Sequence, residues 1–362
     1  SGGVDINTTD RKGRTLLMLA VKNQNIGLVK YLIEKDGCEL DKKDTNLKTA
    51  LSMAIKYKNM LLINALISGG ASVNMPIGVL GDTPLILALK HDMFALAMKL
   101  VDLGAGVNTF NKIGYNPLMI CVASSRYGVA TEDIITKLTE KGANFNVKNS
   151  GGDTPLMKLL ISGDLKIIKR AIEKGGDVTI KDKLGRTCIH LAATRSVEIL
   201  GCVMKVTKNV NTEDRNGETA LYKAMSSNRF DTAKVLLENG ADPNTKPINH
   251  HSPLMLSCMA NQVQLVELLI EKGANIGFKD DKMRTSLMVA SSSGFIEIVK
   301  VLLENKANPN SKNRYMKTAL TLAVECGKLE IAQLLVDNGA EFNRAYLIGN
   351  DVMSDGSDSD SD

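Results

Sequence analysis

A short pattern recurs ten times along this chain, at intervals of about 33 residues. It consists of a polar residue that can cap a helix, then usually a small residue or Pro, then Leu or Ile. Such regular self-similarity indicates stacked copies of one supersecondary unit rather than a single globular core. The ten capping positions, which number the repeats one to ten, are Thr15, Thr49, Thr83, Asn116, Thr154, Thr187, Thr219, Ser252, Thr285 and Thr318.

Each repeat predicts two helices. The first follows the capping residue, and a second apolar stretch such as residues 298–303 has the i, i+3, i+4 spacing of a helix with one buried face. Five residues after the cap, seven repeats have Ala, which lets neighbouring helices approach closely: Ala20, Ala54, Ala88, Ala192, Ala224, Ala290 and Ala323. Most second helices are predicted to end at a left-handed glycine: Gly37, Gly70, Gly104, Gly142, Gly176, Gly240, Gly273 and Gly339.

Repeat six contains TCIHLA at residues 187–192, and the whole pattern resembles the ankyrin repeat family, whose signature is T-P-L-H-x-A. The resemblance covers roughly residues 4–346. It implies an all-α ankyrin-repeat solenoid of helix-turn-helix units with β-turn or hairpin fingers. It also implies a concave groove, lined by fingers and first helices, that binds other proteins. At the His position five repeats have Met instead, so we expect packing to replace hydrogen bonds there: Met18, Met119, Met157, Met255 and Met288.

Two repeats are irregular. Repeat four has about five extra residues around Ser124–Thr131, which we expect to lengthen the turn between its helices. Repeat six is one residue short and has Lys208-Asn209 in place of the terminal glycine. The expected organisation is a cloning remnant at 1–3, a ten-repeat solenoid at 4–350 with a possible junction of two stacks near 195–212, and an acidic disordered tail at 351–362.

Catalytic motifs are missing from the sequence. It has no P-loop, nucleophile elbow, HExxH pair or calcium loop, so we expect neither an enzyme, nor a cofactor, nor a metal site. The six cysteines form no CxxC pair, and five lie in apolar helical patterns, which favours reduced core residues in an intracellular protein. No apolar run is long enough to span a membrane. We expect a cytoplasmic location, with the nucleus as the alternative.

Positive charge is concentrated in the fingers, which we define as the seven residues before each capping residue. They contain 19 Lys or Arg and 10 Asp or Glu. Seven residues after the cap, repeats one to three also have Lys, which predicts a lysine ladder along the groove. The predicted partner-binding residues are Arg11, Lys12, Arg14, Lys22, Lys48, Lys56, Tyr57, Lys90, His91, Lys112, Tyr115, Lys183, Arg186, Lys282, Arg284, Arg314, Tyr315 and Lys317.

These features favour a non-catalytic protein-interaction scaffold or adaptor whose partner presents an acidic segment. The tail, with five Asp in twelve residues, could compete for the same basic surface within the molecule. Two alternatives stay open. One is binding of nucleic acid or another polyanion, which the aromatic content of 4% disfavours. The other is that the chain is the ankyrin targeting region of a larger enzyme, channel or effector.

Overall fold

The computed structural model describes residues 5–123, 129–162, 164–207, 209–245 and 251–341. Over these residues the regular structure is entirely α-helical, apart from two isolated β-bridges, Thr9 with Thr15 and Ile77 with Asp82. The predicted all-α fold of paired helices is therefore confirmed. In chain order the helices are α1 Leu16–Lys22, α2 Ile26–Ile33, α3 Ala50–Lys56, α4 Met60–Ser68, α5 Pro84–Lys90, α6 Phe94–Asp102, α7 Pro117–Ala123, α8 Val129–Glu140, α9 Pro155–Ser162, α10 Leu165–Glu173, α11 Cys188–Ala193, α12 Val197–Met204, α13 Ala220–Ser226, α14 Phe230–Glu238, α15 Pro253–Met259, α16 Val263–Glu271, α17 Ser286–Ser293, α18 Ile296–Glu304, α19 Ala319–Glu325 and α20 Leu329–Asp337.

The first helix of every repeat begins directly after its predicted capping residue. In repeat one the Thr15 hydroxyl accepts a hydrogen bond from the backbone N–H of Met18 at 3.3 Å. In repeat four the Asn116 carbonyl oxygen accepts from the N–H of Met119 at 2.8 Å. These bonds satisfy backbone donors that have no partner inside the helix. The repeating polar residue therefore fixes where each first helix starts.

The small and flexible residues of the pattern lie in the core. All seven alanines five residues after the cap are at most 2% exposed, so neighbouring helices can approach closely. The five methionines at the usual His position are at most 1% exposed, which is consistent with the expectation that packing replaces hydrogen bonds there. In repeat six His190 is buried, and its Nδ1 lies 3.1 Å from the donating backbone N–H of Thr187.

One predicted helix terminator is wrong. Seven of the eight glycines have the left-handed φ that ends a helix, between +79° and +99°. In repeat five that conformation belongs to Gly175, with φ +89°, and not to Gly176. A Cβ on Gly176 would lie 2.8 Å from the backbone oxygen of Ala171 and 3.0 Å from a methyl of Leu156. Gly176 is therefore small because of close packing, whereas Gly175 provides the turn.

Repeat four has a longer second helix than the other repeats. Residues 124–128 lie outside the described residues, but α8 already begins at Val129 and is 12 residues long. The second helices of most other repeats have nine residues. Part of the insertion therefore lies in α8, while the expected longer turn falls on residues 124–128, outside the described residues.

The cysteines follow the prediction except at one position. Cys121, Cys188, Cys202 and Cys258 are buried, whereas Cys326, at the end of α19, is exposed. The helical pattern around Cys326 places it on the last turn, beyond the buried stripe. It is therefore an accessible thiol and not a core residue.

The described chain divides into two compact units. One contains the described residues up to Ala192 together with Gly201–Val206, and the other contains Ala193–Leu200 together with the described residues from Thr207 onward. This boundary passes through repeat six. The junction of two stacks near residues 195–212 stays a prediction, and the acidic tail 351–362 lies outside the described residues.

Within each unit, an asparagine joins the ends of successive second helices. The Asn108 amide donates to the carbonyl of Gly142 at 2.9 Å, and its Oδ1 accepts from the N–H of Asn144 at 2.8 Å. Sequence analysis did not single out this residue, although an Asn eight or nine residues before the cap is a recurring signal. The same pair of bonds is made by Asn7, Asn74, Asn146, Asn211, Asn244 and Asn310.

Candidate interaction surface

Most fingers are closed by the same turn. Five residues before the cap, an Asp or Asn side chain accepts hydrogen bonds from the backbone N–H groups two and four residues later. This local bonding holds the finger without help from neighbouring repeats. The eight residues that do so are Asp10, Asp44, Asn111, Asn149, Asp182, Asp214, Asp280 and Asn313.

Backbone hydrogen bonds join the tips of adjacent fingers. Within the first unit the N–H of Thr45 donates to Lys12 at 3.0 Å, and the N–H of Lys112 donates to Leu80 at 2.8 Å. Within the second unit the N–H of Arg314 donates to Lys282 at 2.9 Å. Gly114 shows how close this approach is, because it has φ +75° and a Cβ there would lie 2.6 Å from the backbone nitrogen of Ser150. The backbones of neighbouring tips are therefore held at fixed positions relative to each other.

The arginines at the base of the fingers are already paired. Arg14 forms a salt bridge with Asp10 at 2.6 Å, which lowers the pKa of the Asp10 carboxyl to about 2. Arg186 and Asp182 make the equivalent pair at 2.8 Å, as do Arg284 and Asp280 at 2.7 Å. Each of these arginines is half-buried and stabilises its own finger, and their role as partner contacts stays a prediction.

The predicted lysine ladder is interrupted at Lys90. Its ammonium group lies 2.6 Å from the carboxylate of Asp82, which is only 8% exposed. The other oxygen of Asp82 accepts from Asn111 at 2.8 Å. Lys22 and Lys56, the equivalent residues in repeats one and two, are exposed and have no acidic partner among the described residues. Of the three lysines, only these two offer free charge.

His91 and Lys56 line a cleft between repeats two and three. The cleft has a volume of about 260 Å³. Its wall is formed by Met53 of α3 and by Ile77 and Leu80 of the third finger, among other residues. Burial lowers the pKa of His91, and the neighbouring lysines lower it further, so the imidazole is neutral near pH 7. Tyr57, at the end of α3, is 40% exposed.

Other predicted binding residues fall into two groups. At the finger base, Lys48 and Tyr115 are half-buried, and Lys317 forms a 2.7 Å salt bridge with Glu325. At the fingertips, basic side chains are exposed and have no acidic partner in the part of the chain that the structure describes. These residues are Arg11, Lys12, Lys112, Lys183, Lys282 and Arg314. Tyr315, on the tip of finger ten, is 65% exposed.

Exposed apolar side chains alternate with these charges, and sequence analysis missed them. Val79 is 73% exposed, Leu184 57% and Met316 60%. A turn residue has no helical or strand period to mark it as exposed, but its position beside the fingertip glycine is a usable signal. The fingertips therefore present apolar as well as basic groups, a mixture that is common at protein interfaces.

The acidic seventh finger carries no free negative charge at its base. Lys223 of α13 contacts the carboxylates of both Asp214 and Glu218. Burial raises the pKa of Asp214, but hydrogen bonds from the backbone N–H groups of Glu218 and Asn216, together with Lys223, lower it below its usual value. Like the arginine pairs, this cluster is part of the finger's own structure.

Neither a metal site nor a membrane span emerges from the described residues. Those residues contain no group of three or more His, Cys, Asp or Glu side chains arranged to hold a metal ion. Among them, too, every helix is too short or too polar to cross a lipid bilayer.

The proteins that the chain is similar to belong to different classes, among them a channel, a viral ankyrin repeat protein and an inhibitor. It is 31% identical over 121 residues to the potassium channel AKT2/3 of Arabidopsis thaliana, covering 33% of this chain and 15% of the channel. It is 28% identical over 142 residues to ankyrin repeat protein OPG189 of Monkeypox virus, covering 39% and 24%. It is 28% identical over 190 residues to NF-kappa-B inhibitor zeta of Homo sapiens, covering 41% and 26%. The chain thus spans about a quarter or less of each relative's length.

Among solved structures, the ankyrin repeat domain of Bcl-3 matches with 24% identity and a TM-score of 0.48, covering 70% of this chain and 99% of that one. The family model for ankyrin repeats, which describes three copies at a time, matches residues 2–77, 128–203, 156–247 and 254–346. These matches include most of the helix pairs described above. The chain therefore belongs to the ankyrin repeat family.

Proposed function

We propose that this chain is a non-catalytic protein-interaction module that docks an acidic partner on its fingertips. The observation that carries the proposal is the contrast between two groups of basic residues. Those at the finger bases are largely neutralised by nearby carboxylates, as Arg14 is by Asp10. Those at the tips, such as Lys12 and Lys183, are exposed and have no acidic partner in the described residues.

Two further features support the proposal. Backbone hydrogen bonds between adjacent tips hold the finger backbones in place, so little backbone freedom is lost when a partner binds. Apolar side chains such as Val79 and Leu184 lie among these charges and offer surface for burial against a partner. Charge alone accelerates encounter, while apolar contact slows dissociation.

A charge-reversed variant tests the proposal. Lys12→Glu, Lys112→Glu and Lys183→Glu together remove tip charges and leave the finger-base salt bridges intact. We expect proteins captured by the wild-type chain to be lost from the variant, and capture to weaken steeply with added salt. Equal capture by both proteins at every salt concentration would refute the proposed surface.

Nucleic acid is the second candidate, because the same exposed charges could bind a phosphate backbone. A mobility-shift titration with a 30-nucleotide duplex distinguishes the two. Tight, sequence-independent binding that competes with captured proteins would favour the polyanion alternative.

The acidic tail is a candidate competitor for the basic surface. Removing residues 351–362 takes away five carboxylates. If the tail contacts the fingertips, the truncated chain binds acidic peptides more tightly than the full chain does. Unchanged affinity would remove this part of the proposal.

A further inference from the structure

Repeat two differs from repeats three and ten in the charges at its finger base. In repeat three the residue before the cap and the residue seven after it are Asp82 and Lys90, whose charged atoms are 2.6 Å apart. In repeat ten the same positions hold Lys317 and Glu325, whose charged atoms are 2.7 Å apart. Side chains at these two positions therefore reach each other across the finger base.

In repeat two both positions are lysine, Lys48 and Lys56. Neither has an acidic partner among the described residues. Asp44, the turn residue of the same finger, uses Oδ1 to accept the backbone N–H groups of Asn46 and Lys48. The pairing that neutralises Arg14 in repeat one is thus not repeated for Lys48. Repeat two thus has two ammonium groups at the positions where repeats three and ten have one cation and one carboxylate.

The apolar cleft lies directly beside these lysines. Lys48 and Lys56 line it together with Met53, Ile77 and Leu87. Asp82 also lines it, but its carboxylate is already bound by Lys90 and Asn111. The cleft is therefore apolar at its wall and positive at its rim. At about 260 Å³ it is smaller than the ~300–1,000 Å³ typical of small-molecule sites, which favours a few residues of peptide over a cofactor.

We propose that this cleft binds a segment of a partner protein in which an aliphatic side chain stands next to an Asp or Glu. The aliphatic group enters between Met53 and Leu87, and the carboxylate bridges Lys48 and Lys56. The ligand thus supplies the negative charge that Glu325 supplies in repeat ten. This inference rests on the proposed function, because it names the partner chemistry for one part of the same surface.

The test uses three fluorescein-labelled peptides and the full chain. The first peptide is Gly-Ser-Glu-Leu-Glu-Ser-Gly, the second has Gln in place of both Glu, and the third has Ala in place of Leu. Fluorescence anisotropy measures each affinity. We expect the second and third peptides to bind about tenfold more weakly than the first, because each lacks one of the two contacts.

Two matched variants separate the cleft from general electrostatics. Lys56→Glu should abolish binding, because it recreates the salt bridge of repeat ten with Lys48 and so also keeps the repeat folded. Lys30→Glu makes the same change of charge on the exposed face of α2 in repeat one, at a residue that does not line the cleft. We expect it to change affinity by less than about twofold at 0.15 M salt. In methyl NMR of the wild type, the first peptide should shift Met53 and Ile77.

Each other outcome counts against the cleft. If the first peptide does not bind, if the Ala peptide binds equally well, or if Met53 and Ile77 do not shift, the proposed subsite is wrong. If both lysine variants weaken binding equally, the subsite is wrong but an acidic partner on the wider surface still stands. The proposed function itself fails only in the separate capture experiment with the fingertip variant.

Discussion

Replacing Asn108 tests whether the recurring asparagine holds successive repeats together. Its amide donates to Gly142 at 2.9 Å and its Oδ1 accepts from the N–H of Asn144 at 2.8 Å. A hydrogen bond contributes about 0.5–1.5 kcal/mol net, and exposure to water favours the lower half of that range. Loss of both bonds in Asn108→Ala should therefore lower the free energy of unfolding by about 1–2 kcal/mol.

Replacing Asn108 with Asp tests the two hydrogen bonds separately. Asn108→Asp keeps the acceptor for Asn144 but loses the donor to Gly142. It also places a carboxylate beside the carbonyl end of α8, where the helix dipole disfavours negative charge. We expect it to be no more stable than Asn108→Ala at pH 7. Part of the loss should be recovered as the pH falls below about 4, where the new carboxyl is protonated and can donate.

Hydrogen exchange measures the effect where it occurs. Repeat proteins can unfold in parts, so one global transition would average over repeats that the variant leaves intact. The amide of Asn144 should exchange about tenfold faster in Asn108→Ala, which corresponds to about 1.4 kcal/mol. Asn46→Ala is the control, because Asn46 is an exposed fingertip residue whose side chain makes no hydrogen bond to any described residue. Equal protection of Asn144 in wild type and Asn108→Ala would refute the reasoning.

Three other predictions concern single residues. Leu47 has a left-handed φ of +58° at a position where many fingers have Gly. Leu47→Gly should therefore raise the free energy of unfolding, measured by thermal unfolding, by about 0.5–1 kcal/mol. A lower stability would show that the contacts of the Leu side chain outweigh the backbone strain. Asp10 should titrate at about 2 by NMR and return toward 3.8 in Arg14→Ala. Because its folded pKa is the lower one, the pair stabilises above about pH 4 and is lost as the pH falls through 2. Cys326 should react first with a thiol reagent, while the four buried cysteines stay unmodified until unfolding.

Sequence reasoning located the helices because their signals are local. A capping Thr three residues before a backbone N–H predicts its own hydrogen bond, and Ala at a fixed offset predicts close packing. The same reasoning placed the terminator of repeat five one residue too late. Gly175 and Gly176 are adjacent and chemically identical, and only the packing against Ala171 distinguishes them.

The charged surface was harder to predict, because the composition gives the number of charged residues but not which of them form ion pairs. Arg14 and Lys12 add equally to the basic total of finger one. Only the turn geometry shows that Asp10 reaches Arg14 and leaves Lys12 free. The sequence does contain a signal for this pairing, since Asp stands four residues before Arg in three fingers. A spacing of four residues, however, is normally taken to indicate an ion pair only within a helix.

The ten repeats contain ten copies of each structural position, so a repeat that differs from the others in its ion pairing is informative. Arginine at the finger base is paired with the turn Asp in repeats one, six and nine. Carboxylates before the cap are paired with a lysine of the first helix in repeats three, five and seven. Repeat ten reverses the two charges and keeps the pair. These are different solutions to the same electrostatic requirement, and they account for a basic residue at or near the finger base in seven repeats without invoking a partner.

Repeat two fails that requirement, with Lys48 beside Lys56. Like charges so close together lower stability slightly, and a single substitution at either position would restore a pair seen elsewhere in the chain. The strongest candidate for partner recognition is therefore not the most basic finger. It is the finger base where two lysines without an acidic partner line an open apolar cleft, because there a ligand can gain a carboxylate contact and an apolar contact at one place.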